Sequence, residues 1–195
     1  IEKAALSDLI GSAKTAESGN KNALIEIRLE TPASAKSAEV VLPKSSFDSI
    51  ANETAADLKI NAGVGSVTFD AKAVETISNA SSSGDVKIEI LSVDKDTLPE
   101  SVRQLVGNHP VYDFSVTSGA TRVSDFAGGT ASLSIPYTLK SGEDANAVVV
   151  YYIDDSGNVQ TVQGAYNAAT GTVDFSVAHF STYAVGYNKE IGRAS

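Results

Sequence analysis

From Gly128 to Tyr187 the chain is a succession of short strand-forming runs, and no other feature constrains the fold as much. Thr130–Pro136, Ala147–Asp154, Val159–Gln163, Thr172–Ala178 and Ser181–Tyr187 are rich in β-branched and aromatic residues. Turn residues divide them at the spacing of about 8–12 residues expected of a β-sandwich. Asp155-Ser156-Gly157-Asn158 and Ala169-Thr170-Gly171 predict hairpin turns in which Gly supplies a positive φ. Asp154–Asn158 has some residues of a calcium loop but lacks the spaced oxygen ligands and the distant Glu, so a turn is expected.

Upstream the pattern mixes strands with short helices. Residues 1–22 are ambiguous, tail or helix: Ala4 to Ile10 suits a turn or two of helix, but Gly11 and the Ser/Gly/Asn-rich stretch that follows suit a loop. Ala23–Glu30 and Asp85–Val93 alternate with period two, as half-buried strands do. An internal duplication lies between them. Val40-Val41-Leu42-Pro43, running on to Phe47 and Ile50, parallels Val67-Thr68-Phe69-Asp70, running on to Val74 and Ile77. Each copy predicts a strand and then a short amphipathic helix, with Pro43 in the first turn of one and Asp70 capping the other. Asp57–Asn61 is a further short strand. Thr97-Leu98-Pro99-Glu100 opens a short helix that carries Val102, Leu105 and Val106 and that Gly107 stops, and His109-Pro110 leads into a strand from Val111 to Thr117.

The fold class is therefore mostly β (α+β). A strand and short-helix part at 23–107 packs with an antiparallel β-sandwich part at 108–188, and 189–195 is linker or tail. With 195 residues there is ample material for a core. No apolar run approaches the roughly 18 residues of a membrane span. A formal charge of −9 repels phosphate backbones, which argues against nucleic acid as a partner. The absence of Cys excludes disulfides and thiolate chemistry, and no cofactor motif is present: Ala127-Gly128-Gly129-Thr130 lacks the Lys and following helix of a phosphate loop. The chain reads as a segment of a longer protein, with neighbouring domains as partners.

The two histidines differ in interest. His109 stands alone, with no second ligand at metal spacing, and reads as a turn residue. His179-Phe180-Ser181 places an imidazole two residues from a hydroxyl. In a tight bend His179 would act as base and Ser181 as nucleophile, and the nearest electrophile is the Phe180 carbonyl of the chain itself. The alternative is that Phe180 and Tyr183 are core residues and His179 and Ser181 serve turn hydrogen bonds. A triad on an outside substrate would require Asp174 or Asp154 nearby. For glycan binding the candidates are Tyr151, Tyr152 and Tyr166, and in Tyr151-Tyr152 the rings face opposite sides of a strand.

Several motifs resemble a known module. Pro110-Val111-Tyr112-Asp113-Phe114, Ile135-Pro136-Tyr137-Thr138, the Gly142–Ile153 segment and His179–Asn188 are similar to a module of secreted surface proteins and wall-attached glycoside hydrolases of Gram-positive bacteria. That module often precedes S-layer homology repeats. The resemblance implies an extracellular, cell-surface or cell-wall location, with wall polysaccharide or another surface protein as partner. More distantly, His179-Phe180-Ser181…Tyr183-Ala184-Val185 resembles the His-Leu/Phe-Ser/Thr strand pair of autoproteolysis-inducing domains in adhesion receptors. That likeness implies cleavage of Phe180–Ser181 by an N-to-O acyl shift, although this chain lacks the cysteines and tryptophans that brace the receptor bend. Three functions are therefore expected in order: a non-catalytic surface module, a self-cleaving module and a carbohydrate-binding module.

Overall fold

The computed structural model describes residues 3–19, 22–32, 34–81 and 84–188; the tail expected at 189–195 lies outside them. The first half runs α1 (Lys3–Ser18), β1 (Leu24–Leu29), β2 (Ser37–Leu42), α2 (Lys44–Glu53), β3 (Asp57–Ala62), β4 (Gly65–Phe69), α3 (Ala71–Ala80), β5 (Val86–Ser92) and α4 (Glu100–Val106). The second half is β6 (Val111–Ser118), β7 (Thr121–Arg122), β8 (Ala131–Pro136), β9 (Val148–Ile153), β10 (Val159–Val162), β11 (Gly164–Asn167), β12 (Thr172–Val177) and β13 (Thr182–Tyr187).

The strands form two sheets, in the orders β1-β3-β4-β8-β12-β11 and β10-β9-β13-β6-β5-β2, with β7 paired to β6. The class is mostly β with helices, as expected. C-terminal strands contribute to both layers, and the strands of 23–107 extend each layer sideways: β4 hydrogen-bonds to β8, and β5 to β6. The two parts are thus joined by continuous ladders. β1 and β3 run parallel, whereas the other strand pairs are antiparallel.

Alternation decides which face is buried. Ile25 and Ile27, Leu58 and Ile60, Val67 and Phe69, and Leu133 and Ile135 point inward from the first sheet. Val40, Ile88, Ile90, Phe114, Val150, Tyr183 and Val185 meet them from the second, in one core. The outer face of the second sheet carries a smaller core beneath α4, made of Val102, Val106, Val111, Val149, Tyr151, Ile153 and Ala184.

The duplicated segments become paired helices. α2 links β2 in the second sheet to β3 in the first, and α3 returns the chain from β4 in the first to β5 in the second. The helices pack on each other, with Phe47, Ile50, Val74 and Ile77 in the main core. Pro43 occupies the N-cap of α2, and its carbonyl accepts the N–H groups of Ser46 and Phe47. Asp70 caps α3 by accepting the Ala73 N–H at 2.7 Å. Its second carboxylate oxygen accepts the Thr130 N–H and hydroxyl at 2.9 and 2.8 Å, which fixes the loop into β8 against the helix start.

The ambiguous start of the chain is a sixteen-residue helix, α1. Leu6, Ile10 and Ala13 recur at i, i+4 and i+7 and are buried in the main core, while Gly11 faces solvent. The hydroxyls of Ser12, Thr15 and Ser18 donate to carbonyls four residues earlier, so the polar residues that suggested a loop are accommodated within the helix.

Two glycines make opposite predictions. A Cβ on Gly129 would lie 2.4 Å from the Ala73 backbone nitrogen, whereas one on Gly11 meets nothing within 4 Å. Gly129→Ala is expected to cost about 1–3 kcal/mol. Gly11→Ala is expected to stabilise by roughly 0.4–1 kcal/mol. Thermal unfolding of both variants checks this, and an unchanged Tm for Gly129→Ala contradicts the packing of this loop on α3.

Candidate functional site at the His179 turn

The connection from β12 to β13 carries the chain from the first sheet to the second, so its residues bridge the two layers. It is fixed by backbone bonds on both sides. Phe126 N–H donates to the Ala178 carbonyl at 3.1 Å, Phe180 N–H donates to the Ser124 carbonyl at 2.7 Å, and Phe114 N–H donates to the Ser181 carbonyl at 3.2 Å. His179 forms an isolated bridge with Asp125. Phe180 points inward and is 3% exposed. Its ring centroid lies 5.4 Å from Phe69, 5.8 Å from Phe114 and 5.0 Å from Phe126, the last edge to face.

The polar atoms of the motif are engaged elsewhere. The Ser181 hydroxyl donates to the Ile153 carbonyl at 3.1 Å. The His179 ring stands edge-on to Tyr152, centroids 4.9 Å apart, and the His179 carbonyl accepts the Tyr183 hydroxyl at 2.7 Å. Burial, and then the nearby Tyr152, push the Tyr183 phenol well above its ordinary range, which keeps it a donor. Among the described residues no hydrogen bond joins His179 to Ser181. None of His179, Phe180 and Ser181 takes a positive φ. An acyl shift needs the hydroxyl aimed at the Phe180 carbonyl, a base on that hydroxyl and a strained peptide. Here the same atoms serve as a clasp between layers.

Neither acid suggested for a triad is free to serve one. Asp154 accepts the N–H groups of Ser156 and Asn158 at 2.9 and 2.8 Å and the Asn158 side-chain amide at 2.8 Å, so it holds the β9–β10 turn, as the turn reading expected. Asp174 lies on the first sheet, bonded to Thr172 and Asn167. Ser181 does border an open cleft of about 320 Å³, shared with Arg122, Ser124, Tyr152, Asp154 and Asp155.

The candidate glycan tyrosines separate as alternation requires. Tyr151 turns outward but is buried beneath α4 in the smaller core, lying so close over Gly186 that a Cβ there would be 2.2 Å from its ring. Tyr152 turns inward and packs half-buried against His179 and Tyr183. Tyr166 is half-buried, edge-on to Tyr137. Tyr151 and Tyr152 are thus taken up in packing.

A half-buried polar cluster around Glu143 has no sequence signal of its own, because His109 and Tyr137 lie 34 and 6 residues from it. His109 Nδ1 lies 2.8 Å from the Val106 carbonyl, which can only accept, so this nitrogen carries a proton. Nε2 lies 2.9 Å from one Glu143 oxygen; the other accepts the Tyr137 hydroxyl at 2.5 Å and the Lys140 N–H at 2.9 Å. Burial raises the Glu143 pKa, but the bonds from Tyr137, Lys140 and His109 more than offset this and hold it below the ordinary carboxylate value. The cluster pins the α4–β6 junction to the β8–β9 loop. Among the described residues no group of three His, Cys, Asp or Glu is placed to hold a metal ion.

Glu143 sets a pH test. A carboxylate with a lowered folded pKa contributes stability that is full above its unfolded value of about 4.3 and is lost as pH falls through the folded value. Glu143→Gln loses one acceptor facing Tyr137, Lys140 or His109 and is expected to cost about 1–3 kcal/mol at pH 7. Denaturant unfolding of both proteins against pH should show this gap closing on acidification. A gap that stays constant from pH 7 to 3 contradicts the assignment. Neither a protein-family model nor a curated protein sequence matches the chain, so the functional reading rests on its residues and geometry.

Proposed function

We propose that this chain is a non-catalytic extracellular module, a spacer or interaction domain at the cell surface, whose His179-Phe180-Ser181 turn is a structural clasp. The observation that carries this reading is the Ser181 hydroxyl bonded to the Ile153 carbonyl beside a Phe180 ring sunk in the core. A nucleophile engaged this way must give up one bond, and a core aromatic must shift, before the Phe180 carbonyl can be attacked. The surface location is proposed from the resemblance of the Pro110–Phe114, Ile135–Thr138, Gly142–Ile153 and His179–Asn188 segments to secreted modules of Gram-positive bacteria. A formal net charge of −9 and a continuous core spanning both sheets are consistent with an exported scaffold. Among the described residues no helix is long and apolar enough to cross a membrane.

Denaturing mass spectrometry tests the reading. The chain is expected as one species of 20.2 kDa, unchanged by days of incubation across neutral pH. A large fragment plus a peptide beginning at Ser181, abolished in Ser181→Ala, identifies the module as self-cleaving. Ser181→Ala itself is expected to lose only about 0.5–1.5 kcal/mol, the net value of one hydrogen bond.

A further inference from the structure

The outer face of the first sheet has a polar lining that the clasp and the two cores leave unexplained. Around the β11–β12 hairpin it is organised by Asp174. One Asp174 oxygen accepts the Thr172 hydroxyl at 2.7 Å and the other accepts the Asn167 side-chain amide at 3.1 Å. Ser134 is its cross-strand neighbour on β8. Burial raises the Asp174 pKa, but these neutral donors hold it below the ordinary value, and among the described residues no Lys or Arg pairs with it. Asp174 is therefore a half-buried anion, held in position by uncharged groups and bordering the hollow beside β11.

The adjoining relief suits an extended ligand. β11 begins Gly164-Ala165, and the absence of large side chains leaves hollows on both sides of it. One, of about 360 Å³, is bordered by Gln163, Asp174 and Ser176; the other, of about 240 Å³, is bordered by Asn146 and Tyr166. Both share Gly164 and Ala165; the larger lies near the lower end of the roughly 300–1,000 Å³ of small-ligand sites and the smaller falls just below it. Gly164 has to be small, because a Cβ would lie 2.7 Å from Val150.

We propose that this hairpin is a binding site for a neutral polysaccharide segment laid across β11, with Asp174 accepting from sugar hydroxyls and Gln163, Asn146 and Ser176 completing the polar contacts. Fixed carboxylate, amide and hydroxyl groups match the mixed donors and acceptors of a sugar ring, and positions held in advance reduce the entropy cost of binding. An anionic glycan is disfavoured by the protein's charge of −9 and by the unpaired Asp174. A single carboxylate also falls short of a cation site. The site deepens the interaction-module reading and rests on it.

The test is NMR titration of the intact 20.2 kDa chain with cellohexaose, chitohexaose, mannohexaose and maltohexaose, and with tetragalacturonate as the anionic comparison. At least one neutral oligosaccharide is expected to shift amides within 163–176. Asp174→Asn and, as a steric block on an exposed position, Ala165→Arg should each weaken that binding by about tenfold or more while spectral dispersion is retained. No binding by any neutral sugar, shifts centred instead on the Ser181 cleft, or preference for the galacturonate overturns the proposal. None of these alters the intact mass, so the site and the non-catalytic reading fail separately.

Discussion

The structure depends on one ring. Phe180 reaches between the sheets to meet Phe69 on β4, Phe114 on β6 and Phe126 from the loop before β8, so two strands, a loop and the β12–β13 turn, far apart in sequence, share a single aromatic cluster. Its removal would leave a cavity of the kind that costs about 3–5 kcal/mol, a large share of the usual stability of a domain. The polar groups on either side follow from that placement. With the ring inward, the Phe180 N–H meets Ser124, the Ser181 hydroxyl meets Ile153 and the His179 carbonyl meets Tyr183.

This dependence bears on the proposed function. A self-cleaving hairpin needs a peptide free to distort and a hydroxyl free to attack, and both requirements oppose a buried anchor. The same three residue types can therefore serve chemistry or cohesion, according to what the middle residue packs against. Here the middle residue is a core aromatic, which is the ground for proposing cohesion. The Asp70 clamp on Thr130 and the Glu143 cluster under the α4–β6 junction do the same work at two other crossings, where polar bonds fix connections that apolar packing alone would leave loosely oriented.

Much of the layer structure was legible in the sequence because its cause is local. Period two at Ala23–Glu30 and Asp85–Val93, the turn residues around Gly157 and Gly171, and the strand–helix duplication each act over a few residues, and each reappears as an element. What pairs with what was not legible. The parallel partnership of β1 and β3, and the extension of both layers by the N-terminal strands, are set by contacts across tens of residues. The short strand β11 carries no sequence signal, because Gly164-Ala165 has little strand propensity and is held by β12. α1 was obscured by Gly11 and its serines, since its helical signal lies in only three buried positions. At the site, His179, Phe180 and Ser181 were found by spacing, but the roles of their atoms depend on Ser124, Ile153 and Tyr183. The burial of Tyr151 depends on where α4 settles.

Hydrogen exchange at the Phe180 amide tests the central claim most directly, because that N–H belongs to the anchor and bonds to Ser124 across the turn. If the turn is a clasp, this amide exchanges only when the whole domain unfolds, with protection on the order of 10⁴-fold or more and the same denaturant dependence as global stability. Rapid exchange at Phe180 while the central strands β6 and β8 stay protected would mean that the turn opens by itself and is not a clasp.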